Sequence, residues 1–303
     1  MSILVVGSVA LDSVKTPFGE VKQALGGSGT YFSISASYFT KVNLVAVVGK
    51  DFPEQHIKLL QKHKVNTEGL KKVSGKTFRW KGEYTYDLNR AITLDTQLNV
   101  FAHFRPEIPR NYRKSEFVFL GNIDPELQLE VLKQVEKPKL VACDTMNFWI
   151  ERKRKALIKV LKYVDILIIN EAEARQLASE NNLVKAARII SSFGPKSLVV
   201  KRGEYGALFF NHKQIFSAPA YPLEIIFDPT GAGDSFAGGF MGYIAGCKNP
   251  SDVNMRRAIV FGSVMASFNV EDFSLNRLKS LNKSQIMKRF QNFKELTHFE
   301  VLQ

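Results

Sequence analysis

Short apolar runs bounded by polar residues or glycine recur along the chain: ILVVG from Ile3, NLVAVVG from Asn43, FVFLGN from Phe117, KLVACD from Lys139, DILIIN from Asp165 and SLVVKRG from Ser197. Runs this short and this uniformly apolar predict strands buried on both sides. Segments with helical spacing lie between most of them: PEQHIKLLQKHK from Pro53, PELQLEVLKQVE from Pro125, EAEARQLASE from Glu171 and VKAARIISSF from Val184. Strands alternating with helices predict an α/β fold whose parallel sheet is covered on both faces. Such sheets bind ligands beyond the carboxyl ends of their strands. Asp12, Asn122, Asp144, Asn170 and Gly203 stand at those ends.

Two stretches break the alternation. Residues 13–25 and 76–104 are rich in aromatic and β-branched residues with little helical period, so they predict strands outside the main sheet, folded as a small flap over the site. The basic run ERKRKALIKVLK carries Ile150, Leu157, Val160, Leu161 and Val164 at helical spacing, the signature of an amphipathic helix with a wet basic face. The tail from Asn276 to Gln303 reads as helical and basic, packed on the outside. No internal repeat or low-complexity linker is visible, so the 303 residues are expected to form one domain with the flap as an appendage.

Hydrophobic residues at 45% and charged residues at 23% describe an ordinary globular chain and exclude disorder. Two cysteines, Cys143 and Cys247, lack metal-ligand spacing and give no disulfide framework, which suits a reducing cytoplasm. The N-terminal run lacks a basic leader and reads as a buried strand, and no stretch is long and apolar enough to span a bilayer. The net charge of +13 is spread along the chain, so it predicts solvated faces and neither a nucleic-acid nor a membrane partner. GLKKVSGKT, from Gly69, has one residue too many between its glycines for a phosphate-binding P-loop, and it leads into a strand. The five histidines, His56, His63 and His103 among them, fit no metal or triad spacing.

The stretch DPTGAGDSFAGGF, Asp228 to Phe240, is different in kind. Gly231 and Gly233 allow backbone geometries that other residues resist, and free N–H groups at a helix start favour anions. The loop therefore reads as an anion cradle with a carboxylate, Asp234, beside it. A carboxylate next to an anion is better explained by chemistry than by binding, although a plain turn with an acidic first helical turn has the same spelling.

With its neighbours included, the chain resembles the PfkB family of carbohydrate kinases, the ribokinase-like family. DPTGAGDSFAGGF is similar to the family's C-terminal signature, GGSG (Gly26 to Gly29) to its double-glycine motif, NEAE (Asn170 to Glu173) to its NxxE element, and KRGEYG (Lys201 to Gly206) to its nucleotide-contacting strand and turn. The matches keep the family's order over nearly the whole chain. The resemblance implies a Rossmann-like, doubly wound, mostly parallel sheet with a small β-sheet lid, and transfer of the ATP γ-phosphate to a hydroxyl of a sugar, with a nucleoside as the alternative acceptor. A non-catalytic regulatory relative is the rival from another class. It further implies that Gly231, Ala232 and Gly233 form the anion hole and that Asp234 is the general base. Asp12, Gly26, Gly27, Asn122 and Asp144 would bind the acceptor, and Lys201, Gly203, Gly206 and Ser263 would border the nucleotide, with Asn269 near Ser263. Asn170 and Glu173 would hold Mg2+ through water, Asp228 would adjoin a monovalent cation such as K+, and two chains could pair through the lid. Three departures weaken a ribose-specific reading. Tyr31 stands where ribokinases have asparagine and Ser28 where many have lysine, while CDTMNFW carries Asp144 and Asn147 but Trp149 in place of an arginine. The lid aromatics Phe78, Trp80, Tyr84 and Tyr86 either stack on a nucleobase or pack their own sheet.

Overall fold

Along each of the six apolar runs, alternate residues are buried on opposite sides of one sheet. Ile3, Val5, Phe117, Phe119, Ile166 and Ile168 enter one core, and Leu4, Val6, Val118, Leu120, Leu167 and Ile169 enter the other. Both faces are dry, so the usual apolar-polar alternation of a half-wet strand is missing.

The computed structural model describes residues 2–298 and 300. In chain order the elements are β1 (Ser2–Val6), β2 (Ala10–Thr16), β3 (Gly19–Gly26), α1 (Ser28–Ser37), β4 (Lys41–Gly49), α2 (Glu54–Lys62), β5 (Val65–Val73), β6 (Phe78–Tyr84), β7 (Ala91–Gln97), β8 (Phe117–Leu120), α3 (Pro125–Gln134), β9 (Leu140–Cys143), α4 (Asn147–Arg152), α5 (Arg154–Leu161), β10 (Ile166–Asn170), α6 (Glu171–Ala178), α7 (Leu183–Ser191), β11 (Ser197–Lys201), β12 (Ala207–Asn211), β13 (Ile215–Ala218), α8 (Ala232–Cys247), α9 (Asp252–Asn269) and α10 (Lys283–Thr297). The described strands form a nine-stranded sheet in the order β13-β12-β11-β10-β9-β8-β1-β4-β5 and a four-stranded sheet in the order β3-β2-β6-β7. From β11 to β5 every pairing in the large sheet is parallel, and β12 and β13 join antiparallel at one edge. After β1 the chain winds toward β5, and from β8 onward it winds the other way. The order therefore reverses between β1 and β8, which opens a crevice at their carboxyl ends.

The sequence reading differs from the structure in several places: the antiparallel edge strands β12 and β13 were not anticipated, and Asp12 lies within β2 of the smaller sheet and not at the end of a main-sheet strand. The basic helix is two helices, α4 and α5, broken at Lys153, yet Ile150, Leu157, Val160, Leu161 and Val164 are all buried as expected. Arg152, Lys155, Lys159 and Lys162 form its exposed face. The strand β5, which contains Gly69, was not anticipated, because its residues from Asn66 on mix polar and apolar positions at the sheet edge. The tail contributes α10, whose Ile286 and Phe293 reach the core; residues 299 and 301–303 of that stretch lie outside the described residues. Among the described residues no helix is long and apolar enough to cross a membrane.

Candidate active site

The GAGD stretch forms the start of α8, and its backbone geometry explains both glycines. Gly231 is the N-cap residue in the left-handed region at φ 76°. A Cβ there would lie 2.4 Å from the ring of the fully buried Tyr31, so side chains are excluded by sterics as well as by backbone strain. No side chain caps this helix. The Ala232 N–H donates to the Pro229 carbonyl at 3.1 Å. Among the described residues the N–H groups of Gly231, Gly233 and Asp234 make no such bond, and they leave an open set of donors at the positive end of the helix dipole.

Residues far away in sequence hold the loop. Asp228, wholly buried, accepts from the Thr230 N–H at 2.9 Å and from the Ser274 N–H at 3.0 Å. Asn269 donates from Nδ2 to the Thr230 carbonyl at 2.8 Å, and its Oδ1 lies 3.1 Å from the Ser235 hydroxyl. Both oxygens of Asp228 thus fix the cradle's shape.

Asp234, half-buried, lies in an acidic cluster with Asp144 and Glu173, and among the described residues Lys201 is the one cation that acts on all three. Burial, reinforced by Asp144 and opposed by Lys201, raises its carboxyl from 3.8 to about 7. Burial likewise pushes Glu173 to about 7, with Asp144 adding repulsion, and raises Asp144 against the pull of Lys201. Lys201, the last residue of β11, is largely but not fully buried. Burial alone would lower its ammonium, but Asp144, Glu173 and Asp234 together raise it. Its Nζ is 3.5 Å from Asp144 Oδ2, while Asp144 Oδ1 accepts from the Thr145 N–H at 2.7 Å. A carboxyl raised to about 7 can take a proton at physiological pH.

The smaller sheet faces this cluster. Asp12, on β2, accepts from the Gly27 N–H at 3.3 Å. Its carboxylate occupies the space over Gly26, where a Cβ would fall 1.9 Å from Oδ2. Burial first, then Asp228 and Asp234, raise Asp12 to about 7 against the Gly27 bond. Trp80 on β6 is the direct neighbour of Asp12 across the pairing, and its indole lies over Gly82, where a Cβ would be 2.2 Å away. Two contacts join the small sheet to the far wall: the Tyr84 hydroxyl and Thr230 Oγ1 are 3.3 Å apart, and Asn89 donates to Glu204 at 3.3 Å. The four aromatics of this stretch separate: Phe78 stacks on Phe101 at the sheet's root, and Tyr86 is 87% exposed.

The remaining candidates divide. Asn170 and Glu173 do not share a helical face. Asn170 ends β10 and caps α6, accepting from the Glu173 N–H at 2.8 Å, while Glu173 Oε2 accepts from the Asn170 N–H at 2.9 Å. This capping box leaves Glu173 Oε1 without a hydrogen bond among the described residues. A carboxylate oxygen without a hydrogen bond, on a largely buried side chain, fits Mg2+, which binds few protein oxygens and keeps water. Among the described residues no three acidic, histidine or cysteine side chains form a metal cage. Gly203 and Gly206 bound a 3-10 turn after β11, with Asn89 packed on Gly203. Asn122 accepts from Trp149 Nε1 at 2.9 Å, so its side chain is committed to that indole. Ser263 is buried within α9, and among the described residues no side-chain hydrogen bond ties it to the cluster. Sequence reasoning did not find the bracing of Asp228 by Ser274 or the Tyr84 and Asn89 contacts, which join residues too far apart for any local signal.

Residues 2–280 match the family described as pfkB family carbohydrate kinase. A cytidine kinase of Thermococcus kodakarensis is 31% identical over 254 residues, covering 81% of this chain and 90% of that protein. Among solved structures, the nucleoside kinase of Methanocaldococcus jannaschii superposes with a TM-score of 0.77 at 20% identity, covering 96% of this chain and 98% of that one. The ribokinase of Arabidopsis thaliana, solved with ribose and ATP, superposes with a TM-score of 0.75 at 19% identity over 95% of this chain and 98% of its own. The doubly wound sheet, the smaller sheet beside it and the match over residues 2–280 agree: the chain belongs to the pfkB family of carbohydrate kinases.

Proposed function

We propose that the protein transfers the γ-phosphoryl group of ATP to a hydroxyl of a nucleoside, with a simple sugar as the rival acceptor. One observation carries this: the uncapped start of α8 and the desolvated, half-buried Asp234 carboxyl form one site, with Asp12 among the charges that act on it. Support for a nucleoside comes from the cytidine kinase relative and from Trp80, a flat apolar surface beside Asp12 that suits a base. Tyr31, packed under Gly231, is unavailable as a sugar ligand in the role asparagine has in ribokinases.

In this mechanism Asp12 orients the acceptor's hydroxyls, and an Asp234 carboxylate oxygen takes the proton of the attacking one. The acceptor oxygen bonds to the γ-phosphorus as its bond to the β-phosphate oxygen breaks, and ADP leaves. The N–H groups of Gly231, Gly233 and Asp234 stabilise the charge on the transferring group; Ala232, engaged with Pro229, supports the turn. Residues Lys201 to Gly206 and Ser263 border the nucleotide. Asn170 and Glu173 would hold Mg2+, which would supply neutralisation of phosphate charge. Asp144 holds Lys201, and the reading needs no K+ at Asp228.

The small sheet acts as a lid that excludes water, and Tyr84 and Asn89 latch it. Trp80→Ala should raise the acceptor KM or lower kcat several-fold and leave ATP affinity nearly intact; an equal loss of ATP affinity would place Trp80 in general packing. The outer lid strand β7 is exposed at every position, with Ile92 and Leu94 among its side chains, which supports a homodimer through the lids. Sedimentation of the chain and of Ile92→Glu/Leu94→Glu tests it, with a monomeric parent as the opposing result.

Coupled ADP release across nucleosides, sugars and inositols tests the reaction. Acceptor-dependent release with a nucleoside is expected. Release only with a sugar moves the assignment to the rival acceptor, and background release with the whole panel removes the kinase reading in favour of a regulatory protein.

A further inference from the structure

Lys201 is placed for more than bordering the nucleotide. Among the described residues it is the one cation that acts on Asp144, Glu173 and Asp234 alike. Its side chain is 16% exposed, so its ammonium is largely removed from water. A buried ammonium is usually locked by short charge-assisted bonds near 2.8 Å. This one is not: its nearest partner, Asp144 Oδ2, is 3.5 Å away, and it makes no other side-chain hydrogen bond among the described residues. Asp144 for its part is held independently by the Thr145 N–H. Lys201 Nζ would also lie 3.0 Å from a Cβ on Gly233, so it borders the N–H cradle itself. The absence of a side chain at Gly233 keeps that space open.

We propose that Lys201 is a catalytic residue whose Nζ leaves Asp144 and donates to an oxygen of the transferring phosphoryl group in the cradle of Gly231, Gly233 and Asp234. The proposal rests on the kinase reading above. Backbone N–H groups supply partial charge at fixed positions, whereas a lysine supplies a full, mobile charge on a flexible stem. As the phosphoryl group passes from ADP to the acceptor its oxygens stay negative, so the ammonium follows it without giving up a proton, and Asp144 receives the ammonium back when product leaves. The opposing account is that Lys201 only neutralises the acidic cluster.

The two accounts are separated by Lys201→Met, alone and combined with Asp144→Asn. If Lys201 acts on the phosphoryl group, kcat falls about a hundredfold to a thousandfold, and the fall persists within about threefold when Asp144→Asn is already present, because the lost partner is the substrate. If it acts only on Asp144, the cost largely vanishes in that background, which overturns the proposal; so does a loss under about fivefold in the single variant. Titration calorimetry gives a second readout. Lys201→Met should weaken ATP at least tenfold and leave ADP within about twofold, since only ATP places a phosphoryl group in the cradle; equal losses overturn the proposal. Lys201→Gln, neutral but still a donor, replaces the Met variant under the same thresholds if that variant melts below the assay temperature. Failure of the parent chain to bind ATP or turn over any acceptor removes the kinase reading itself, whereas an active parent with an indifferent Lys201 variant removes this proposal alone.

Discussion

Asp234→Asn should lower kcat by about a hundredfold to ten-thousandfold while the protein melts no lower, and at pH 8 it should melt several degrees higher. The kinetic part follows from removing the acceptor of the hydroxyl proton. Asparagine keeps the size and polarity at the start of α8, so the cradle and nucleotide affinity should survive, and ATP binding should tighten slightly once a negative charge beside the phosphates is gone. The thermal part follows from the carboxyl's position at about 7, raised from 3.8 by burial and then by Asp144. An acid raised in the folded state binds its proton more tightly there than in the unfolded chain. Its ionisation therefore costs stability progressively from near pH 4 upward, and the cost is complete above about pH 7. The separation corresponds to roughly 4 kcal/mol, an order-of-magnitude figure. Asparagine removes that cost, so its advantage in melting temperature should be largest at pH 8 and should shrink toward pH 5. In the parent enzyme the same ionisation should make kcat rise with pH through about 7 and then level. A residue that merely capped the helix would show the reverse pattern, with a stability loss of about 1 kcal/mol and normal turnover. Turnover within a few-fold of the parent would sink the assignment of the base.

Asp12→Ala should raise the acceptor KM about tenfold to a hundredfold, the loss expected when a charged hydrogen-bond partner of a substrate hydroxyl is removed. ATP affinity should hold, because the charges grouped with Asp12 are Asp228 and Asp234, not the Asn170, Glu173 and Gly203 side of the site. The stability change should be small, since two effects oppose. The Gly27 N–H loses its acceptor, but a buried carboxyl that burial had raised to about 7 is also removed. Steady-state kinetics with the acceptor varied at saturating ATP, alongside a melting curve, decide the matter. An unchanged acceptor KM with a clear drop in melting temperature would assign Asp12 to holding Gly27 alone.

How much of this could be read from the chain differs from residue to residue. Six of the nine strands of the main sheet were legible because burial on both faces leaves an unbroken apolar run, a signal contained in four or five consecutive residues. The edge strand β5 and the break at Lys153 between α4 and α5 were not, because solvent on one side relaxes the pattern. The glycines of the cradle were legible as a motif, and Gly231 earns its place locally through a left-handed φ of 76°. What blocks a side chain there, the ring of Tyr31, lies 200 residues away in the chain.

The sequence by itself determined the strand and helix alternation, the family motifs and the identity of the groups that can do chemistry, because those depend on spacing within single elements. Only the tertiary structure decided their state. Asp234 and Asp12 stand near neutrality because the fold buries them among like charges, and no property of either residue's neighbours in sequence produces that. Two details of the site are local: the Ala232 N–H bonds the Pro229 carbonyl three residues back, and Asn170 and Glu173, three residues apart, cap each other. Above all the tertiary structure placed one loosely held ammonium, Lys201, from the end of a strand into a pocket of carboxylates drawn from three other elements. Desolvation and Coulomb interaction act through space over a few ångströms, whereas sequence pattern reports only on separation along the chain, so the electrostatics of this site exist only once the sheet has brought its strand ends together.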